Sequence, residues 1–315
     1  MKYEKPHSSI LEQISRLKER GLVIEDEQRA KHYLSIVGYY RLSSYCYRFE
    51  LPPVKGIRSH QFSHGTTFED IVRVYVFDQK LRTLMLEALE RFEVATRSVW
   101  AHSMSELYGP HPHMNAELFS NRDEYFRSFV NLMEETKRSQ SNSEEIAHYL
   151  TNYDSPFLPP IWIITSVMSF GELFKWIKNT KSSTVKVKIA KTVGVPNIQV
   201  LEGIFRVFTT LRNICAHHGR LWDRRLSTKL PYLTKNLRVA LTSTVDKNGG
   251  TEADPRMFNC IVVLAHVMLY LNSSSTWPLR VASLVDEMLR SNEQKIMGFP
   301  AGWRENQFWQ SNSDH

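Results

Sequence analysis

The longest regular pattern in the sequence is a series of apolar residues at three- and four-residue steps between Phe68 and Leu107. This spacing puts apolar side chains on one face of an α-helix. The sequence Tyr108-Gly109-Pro110 ends the pattern, because glycine favours a helix end and proline cannot continue a helix. The segment predicts one helix of about 40 residues, or two helices joined by a kink, since such a length is unusual in a compact domain.

Many other segments of the chain have the same helical periodicity. They predict shorter helices over residues 10–20, 26–37, 122–138, 143–151, 161–178, 183–193, 197–216, 255–271 and 278–290. The sequence contains no alternation of strands and helices, no glycine-rich phosphate loop and no internal repeat. It therefore predicts an all-α fold.

Residues 50–66 separate two helical regions. This stretch contains two prolines and two glycines and has no periodicity, which is typical of a loop or linker. We therefore place a domain boundary here, with an N-terminal helical region over residues 1–65 and a helical domain over residues 66–315. The sequence Lys247-Asn248-Gly249-Gly250 predicts a further loop.

The chain carries a modest positive charge of +7, from 40 Lys and Arg residues against 33 Asp and Glu residues. Such an excess suits a phosphate-bearing partner, because the summed field concentrates polyanions near the protein. Many proteins that bind no nucleic acid carry a similar charge, so composition only slightly favours an RNA or DNA partner.

The three cysteines, Cys46, Cys215 and Cys260, are isolated from one another. This argues against disulfides and a zinc knuckle, and it favours a reducing compartment. The N-terminus lacks an apolar signal core. The longest apolar runs, near residues 160–170 and 260–271, are shorter than the roughly 20 residues that span a bilayer. We therefore predict a soluble, cytoplasmic protein with no membrane segment.

An arginine lies within the apolar stripe of the helix predicted over residues 197–216. The stripe consists of Leu201, Ile204, Phe205, Phe208, Leu211 and Cys215. On a helical wheel Arg212 falls near its middle, where a charge is costly unless it is paired or faces a polar cleft or ligand. A core arginine bound to a buried carboxylate and an arginine that binds a ligand are both consistent with this position.

Arg212 begins the sequence Arg-Asn-Ile-Cys-Ala-His, which ends at His217. Asn213 and His217 are four residues apart and share a helix face, whereas Arg212 and His217 lie about 140° apart on an ideal helix. A site that uses both therefore needs the arginine to swing, the helix to end near Ala216, or a second helix to complete the pocket. Gly219 favours a helix end at this place.

These residue types suit the cleavage of RNA without a metal ion. A histidine can deprotonate the neighbouring 2′-OH or protonate the leaving oxygen. A guanidinium suits the phosphate, whose negative charge shifts during the reaction, and an asparagine can orient the histidine or the phosphate by hydrogen bonds. We predict catalytic roles for Arg212, Asn213 and His217, with no metal and no cofactor. As a bare pattern, Arg-x4-His also occurs by chance in many proteins.

Another Arg-x4-His segment, the first in chain order, runs from Arg97 to His102 near the end of the long helix. Arg97 lies off the main apolar stripe, and Glu93 precedes it by four residues. An exposed Glu–Arg pair followed by a helix-end histidine is as consistent with this pattern as a catalytic role. Two such segments, each near a helix C-terminus, could face each other and form one composite site.

Basic residues flank an aromatic residue directly after His217. Arg220 and Arg224, with Trp222 between them, suit RNA phosphates and stacked bases, so we predict RNA binding here. The alternative is that Trp222 packs in the core and the arginines pair with acidic residues.

Four blocks of the sequence, in the same order, resemble a known family. They are Leu211–Trp222, which contains the Arg-x4-His segment, the Gly38–Ser43 block "GYYRLS", the Ser169–Leu173 block "SFGEL", and Met297–Pro300 followed by Trp303. Together they resemble the Abi-like proteins, the AbiD/AbiF group of bacterial abortive-infection systems. The resemblance covers almost the full chain.

This resemblance implies a HEPN fold, an all-α scaffold that recurs in RNases, toxins and RNA-guided effectors. In those proteins an Arg-x4-6-His motif cuts RNA without a metal, and two HEPN units commonly build one site. The resemblance transfers these roles directly to Arg212, Asn213 and His217. The transfer to Arg97 and His102 is less direct, because a serine follows Arg97 where many HEPN motifs have Asn, His or Asp.

The resemblance also implies defence against phage by stopping the growth of the infected cell. A ribonuclease that harms its host needs restraint, by a small RNA, a protein antitoxin or an inactive assembly. HEPN units commonly dimerise, so the two motifs of a composite site could come from the two chains of a homodimer. The alternative is that both motifs come from one chain. The hypothesis is a metal-independent endoribonuclease. The alternatives are a non-catalytic RNA-binding module and a purely structural Arg212.

Overall fold

The computed structural model describes residues 6–231, 240–245, 249–305 and 309, and the chain is mostly α-helical within these ranges. In chain order the helices are α1 (Ile10–Glu19), α2 (Glu27–Ile36), α3 (Tyr39–Cys46), α4 (Phe68–Tyr108), α5 (Arg122–Ser139), α6 (Glu144–Asn152), α7 (Ile161–Ile164), α8 (Phe170–Asn179), α9 (Ser183–Thr192), α10 (Ile198–Ala216), α11 (Met257–Leu271), α12 (Trp277–Met288) and α13 (Ser291–Met297). The predicted all-α class is confirmed. None of the helices in these ranges is both long and apolar enough to cross a membrane.

The predicted 40-residue pattern forms one continuous helix, α4, of 41 residues. Its apolar face is buried along its whole length, and Phe77, Met85, Phe92 and Trp100 are fully buried. This burial explains why the helix needs no kink, because neighbouring elements cover the apolar stripe from end to end. The single-helix alternative is therefore confirmed.

The single helix predicted over residues 161–178 is wrong. Helix α7 ends at Ile164, a 3-10 turn follows, and Met168 is extended with φ −72° and ψ 130°. Ser169 then starts α8, where its Oγ accepts a hydrogen bond from the Glu172 amide at 3.3 Å. The continuous apolar run hid this Ser-x-x-Glu start signal, which favours a new helix over continuation of the old one.

Helical periodicity did not predict helices α3 and α13, nor did it predict a short antiparallel hairpin. The hairpin pairs β1 (Ser243–Val245) with β2 (Thr251–Ala253). Two residues of the predicted loop, Lys247 and Asn248, lie outside the described residues, whereas Gly249 and Gly250 lead into β2. Two three-residue strands give too short a pattern for a sequence signal.

The contacts of the chain divide it into two compact units. One unit consists of Met1–Leu81 with Ser283–Glu293, and the other consists of Arg82–Ala282 with Gln294–His315. The predicted division after residue 65 stays a prediction. Both Arg-x4-His segments belong to the second unit.

An ion-pair network links the two segments of the first unit. Arg73 donates to the two carboxylate oxygens of Glu293 at 2.8 and 2.6 Å. Arg290 donates to Asp70 at 2.5 Å. Because Glu293 and Asp70 are buried, these charges need their partners, and loss of one partner would leave an uncompensated buried charge.

Asp70 also caps the start of α4. Its Oδ2 accepts hydrogen bonds from the amide and hydroxyl of Thr67, and its own amide donates to the Thr67 hydroxyl. Burial disfavours the charged carboxylate, but the Thr67 hydrogen bonds and the charges of Arg290 and Arg73 outweigh it. The pKa of Asp70 is therefore lowered from its ordinary value.

Replacing Asp70 with asparagine is expected to lower the free energy of unfolding by about 1.5–3 kcal/mol at pH 7, the range for hydrogen bonds to a charged group. A carboxyl group with a lowered folded-state pKa stabilises the fold above its unfolded pKa of about 3.9 and loses this contribution as the pH falls through the folded value. The free energies of unfolding of wild type and Asp70→Asn, measured with urea between pH 7 and pH 3, should therefore approach each other as the pH falls.

The matched control is Glu69→Gln, which removes a neighbouring carboxylate from the same helical turn. Glu69 pairs with Arg29 on the surface, with both side chains about half exposed. Such pairs contribute about 0–1 kcal/mol, so this variant should remain close to wild type. A loss of stability in Asp70→Asn that is the same at pH 7 and pH 3 would contradict the assigned role of the carboxylate.

Candidate active site

Helix α10 carries Arg212 as its sequence predicts. Asn197 caps the helix by accepting a hydrogen bond from the Val200 amide at 2.9 Å, and the six residues of the predicted apolar stripe are all buried. Arg212 lies among them but stays partly exposed. Its guanidinium carbon stands 5.9 Å from the centre of the Phe170 ring. The arginine thus lies over an aromatic ring of the core while part of the residue remains exposed to solvent.

No carboxylate within the described ranges lies at ion-pair distance from Arg212, so the buried ion pair is absent there. A cation over an aromatic ring leaves the five N–H donors at the edge of the guanidinium available to other groups. Phosphate is such a group, because a guanidinium can donate two parallel hydrogen bonds to it. The geometry of Arg212 therefore suits an anionic ligand.

Helix α10 ends where the predicted site requires it to end. His217 is the residue after the last helical position, with φ −89° and ψ 17°. The Gly219 amide donates to the Ile214 carbonyl at 2.6 Å, and His218 adopts a left-handed conformation with φ 56°. These bonds close the helix terminus. The end near Ala216 is confirmed, and the side chains of Asn213 and His217 are exposed.

In the first segment, Arg97 to His102, the arginine side chain is held by more hydrogen bonds than a surface ion pair would supply. Arg97 donates to Glu93 at 2.6 Å and to the Met168 carbonyl at 2.9 Å. Only 23% of the Arg97 side chain is exposed. The predicted Glu–Arg pair therefore exists, but it is largely buried and fixes the arginine against a distant part of the chain. His102 and Ser98 are exposed.

The two arginines reach the same short corner between α7 and α8. Arg97 binds the carbonyl of Met168, and Arg212 covers the ring of Phe170. The Phe92 ring of α4 lies 6.0 Å from Phe170 and 5.0 Å from Phe208 of α10. Because these three rings pack together, α4, α8 and α10 meet one helical turn or so before both arginines. The sequence did not predict this corner, although Ser169 and Phe170 begin the "SFGEL" block and Met168 directly precedes it.

A cleft of about 490 Å³ lies beside the first segment. One wall is a single face of α4 that includes Arg97, Ser98 and His102, and the other includes Trp162 and Thr165. Arg212, Asn213 and His217 do not line this cleft. The structure therefore brings together the arginine and histidine of the first segment. Arg97 and Arg212 each contact the corner at residues 168–170, through the Met168 carbonyl and the Phe170 ring. A single pocket that contains both histidines stays a prediction.

The residues after His217 separate into buried and exposed positions. Trp222 is completely buried, so its ring cannot stack on an RNA base in this conformation. The alternative in which Trp222 packs in the core is the one that its burial supports. Arg220 and Arg224 are partly exposed, and the Arg224 Nε donates to the Arg220 carbonyl at 2.6 Å.

Two other histidines that stand close together in sequence do not form a second candidate site. His113 is fully buried, and loss of hydration, aided by the neighbouring His111, lowers its pKa to about 3. A histidine with this pKa stays neutral near pH 7. In the described ranges no group of three or more His, Cys, Asp or Glu side chains is arranged to hold a metal ion.

The chain matches a model of a known protein family. A family model described as "Abi-like protein" matches residues 32–223, more than half of the chain, and the matched span includes both Arg-x4-His segments and the corner between them. No curated protein and no solved structure matches the chain.

Proposed function

Because the chain belongs to the Abi-like protein family, whose members are linked to abortive infection, we propose that it is a metal-independent endoribonuclease with a HEPN fold. It acts in the bacterial cytoplasm, in an anti-phage or toxin–antitoxin system. The observation that carries this proposal is the approach of Arg97 and Arg212 to one corner, residues 168–170, from two different helices. Two guanidinium groups that contact neighbouring residues of one corner would suit a phosphodiester bound beside it.

The reaction proposed for this site needs no group from outside the protein and the RNA. The ribose 2′-oxygen attacks the adjacent phosphorus and forms a new O–P bond, while the bond from phosphorus to the 5′-oxygen breaks. One histidine accepts the 2′-OH proton, and the other donates a proton to the 5′-oxygen. The products are a 2′,3′-cyclic phosphate and a 5′-hydroxyl end. His217 and His102 are the proposed proton-transfer residues.

The two arginines have different proposed roles. Arg212 has no ion-pair partner in the described part of the chain and binds the phosphate during its rearrangement, when the charge on its oxygens increases. Arg97 is held by Glu93 and Met168, so it supplies positive charge at a fixed position. Asn213 orients the phosphate or His217 through its amide.

The remaining proposed partners follow from the same chemistry. Arg220 and Arg224 contribute positive charge near the end of α10, where an RNA strand would leave the site. A ribonuclease that harms its own cell needs restraint, so we propose a small-RNA or protein antitoxin as a partner. A homodimer could provide the second arginine–histidine pair if His102 and His217 of one chain do not act together.

The test of this proposal is RNA cleavage in the absence of available metal. Purified protein is incubated with labelled single-stranded RNA and excess EDTA, and the product ends are identified. We expect cleavage that leaves 2′,3′-cyclic phosphate and 5′-hydroxyl ends. Complete dependence of cleavage on added divalent metal, or products with 5′-phosphate ends, would contradict the mechanism.

A non-catalytic RNA-binding module is the second candidate function. One observation favours this function. Arg97 already donates hydrogen bonds to Glu93 and to the Met168 carbonyl, which is typical of an arginine that stabilises the fold and takes no part in catalysis. This function predicts RNA affinity that falls as salt concentration rises, since phosphate contacts release counterions. Binding with this salt dependence and no product in the EDTA assay would favour it over the endoribonuclease.

A further inference from the structure

An exposed tryptophan lies in the cleft beside Arg97 and His102. Trp162 leaves 57% of its surface exposed, although a tryptophan side chain gains a large stabilisation when it is buried. It belongs to the one-turn helix α7, in which Ile161 and Ile164 are fully buried. The two isoleucines fix the inner face of the turn and leave the tryptophan on the outer face, in the cleft.

The backbone that carries Trp162 is held at both ends against α4. At one end, the Ile161 amide donates to the Pro110 carbonyl at 2.8 Å, just after α4 ends. At the other end, Arg97 donates to the Met168 carbonyl at 2.9 Å, several turns earlier in α4. Residues 161–168 therefore run antiparallel along the last turns of α4, and the backbone that carries the tryptophan is held at both ends without a ligand.

The opposite wall of the cleft has the chemistry of a phosphate site. It is one face of α4, formed by Val94, Arg97, Ser98, Ala101, His102 and Ser105. A flat aromatic ring therefore faces a wall that carries a guanidinium, an imidazole and hydroxyl groups. A nucleotide unit of RNA has the complementary parts, a flat base joined through its ribose to an anionic phosphate.

We propose that Trp162 stacks on an unpaired base of the RNA strand whose phosphate is bound near Arg97. This inference rests on the proposed function and adds the residue that holds the strand in the cleft. Base stacking on an aromatic side chain tolerates all four bases, because each base has a π face. It requires an unpaired base, so Trp162 selects single-stranded RNA over duplex without selecting a sequence.

The test measures binding separately from cleavage. A short RNA with 2′-O-methyl groups at every position lacks the nucleophile, so it can bind but cannot be cut by the proposed mechanism. Its dissociation constant is measured for wild type, Trp162→Ala and Trp162→Phe. We expect Kd to rise about 5- to 140-fold in Trp162→Ala, from the stacking energy per base. Trp162→Phe retains a stacking ring and should recover most of the affinity.

Phe126→Ala is the matched control. Phe126 is 55% exposed on α5 and does not line the cleft, so its replacement removes a similarly exposed aromatic ring and should leave Kd unchanged. The melting temperature of each variant shows whether it is folded. An RNA series with one abasic position then identifies the stacked base, because that lesion should weaken binding by wild type but not further weaken binding by Trp162→Ala.

The outcomes separate this inference from the proposed function. Wild-type affinity in Trp162→Ala, together with metal-independent cleavage by wild type, overturns the stacking role alone. Weakened binding by Trp162→Ala without any cleavage by wild type supports the stacking role and overturns the endoribonuclease. A wild-type protein that binds no RNA overturns both.

Discussion

Replacing His217 with alanine is expected to slow RNA cleavage by about 10²- to 10⁴-fold, the usual contribution of a general acid or base. His217 lies just beyond the last residue of α10, and its side chain is exposed. The substitution therefore removes a proton-transfer group without creating a cavity, and the melting temperature should stay close to that of wild type. Single-turnover cleavage of labelled RNA in EDTA measures the effect.

Arg212→Ala is expected to lower the rate by about 10²- to 10³-fold, by analogy with the loss of one group that stabilises transition-state charge. Its effect on stability should be small, about 0.5–1 kcal/mol, because Arg212 has no ion-pair partner within the described residues and its guanidinium makes a partly exposed contact with the Phe170 ring. An Arg212→Ala variant that fails to fold would instead identify a structural arginine.

Arg206→Ala is the control for both variants. Arg206 lies on the same helix with an exposed side chain, and its replacement removes the same charge away from the site. We expect its cleavage rate to remain close to that of wild type. Undiminished cleavage by the Arg212→Ala/His217→Ala double variant would refute the assignment of this site, whatever the behaviour of the control.

His102→Ala and Arg97→Ala show whether the first segment belongs to the same reaction. If His102 is the second proton-transfer residue, its loss and the loss of His217 should be far from additive, because either substitution alone interrupts the same step. If His102 only binds RNA, His102→Ala should raise KM and leave kcat unchanged. Arg97→Ala removes a largely buried hydrogen-bonded group, so its stability must be measured beside its activity.

Helical periodicity was enough to predict the two helices that carry the candidate site. The apolar stripes of α4 and α10 repeat over many turns, and Gly219 marks the C-terminal end of α10. The corner between α7 and α8 could not be predicted in this way. Its defining contact joins Arg97 to the Met168 carbonyl, which are 71 residues apart, and no local pattern encodes such a contact.

The two tryptophans show a second limit of sequence patterns. Trp222 stands among arginines, which is typical of a surface, yet it is completely buried. Trp162 stands in an apolar run, which is typical of a core, yet more than half of it is exposed. In a helix of only one turn two residues suffice to fill the inner face, so an apolar neighbour can lie outside. Burial at such positions depends on tertiary packing.

The ring of Phe92 packs against the two helices that meet α4 beside the candidate site. Its centroid lies 4.8 Å from that of Phe205, 5.0 Å from that of Phe208 and 6.0 Å from that of Phe170. The residue is fully buried. It therefore joins α4 to both α8 and α10, the three helices around the corner that receives the arginines.

Phe92→Ala is expected to lower the free energy of unfolding by about 3–5 kcal/mol, because it removes a buried ring and leaves a cavity among three others. Urea unfolding measures this loss. Phe126→Ala removes an exposed ring and should change stability by less than about 0.5 kcal/mol. A loss below 1 kcal/mol in Phe92→Ala would contradict the central role of this ring.

Phe92→Leu separates stability from the geometry of the site, because leucine fills much of the cavity but makes no aromatic contact with Phe170 or Phe208. The variant should remain folded, with a smaller loss of stability than Phe92→Ala. Its cleavage rate should nevertheless fall, because the corner between Arg97 and Arg212 is then positioned less accurately, and a displacement of about 1 Å can cost about 10²-fold in rate. A folded Phe92→Leu variant with the wild-type rate would show that the two arginines do not depend on the aromatic cluster for their positions.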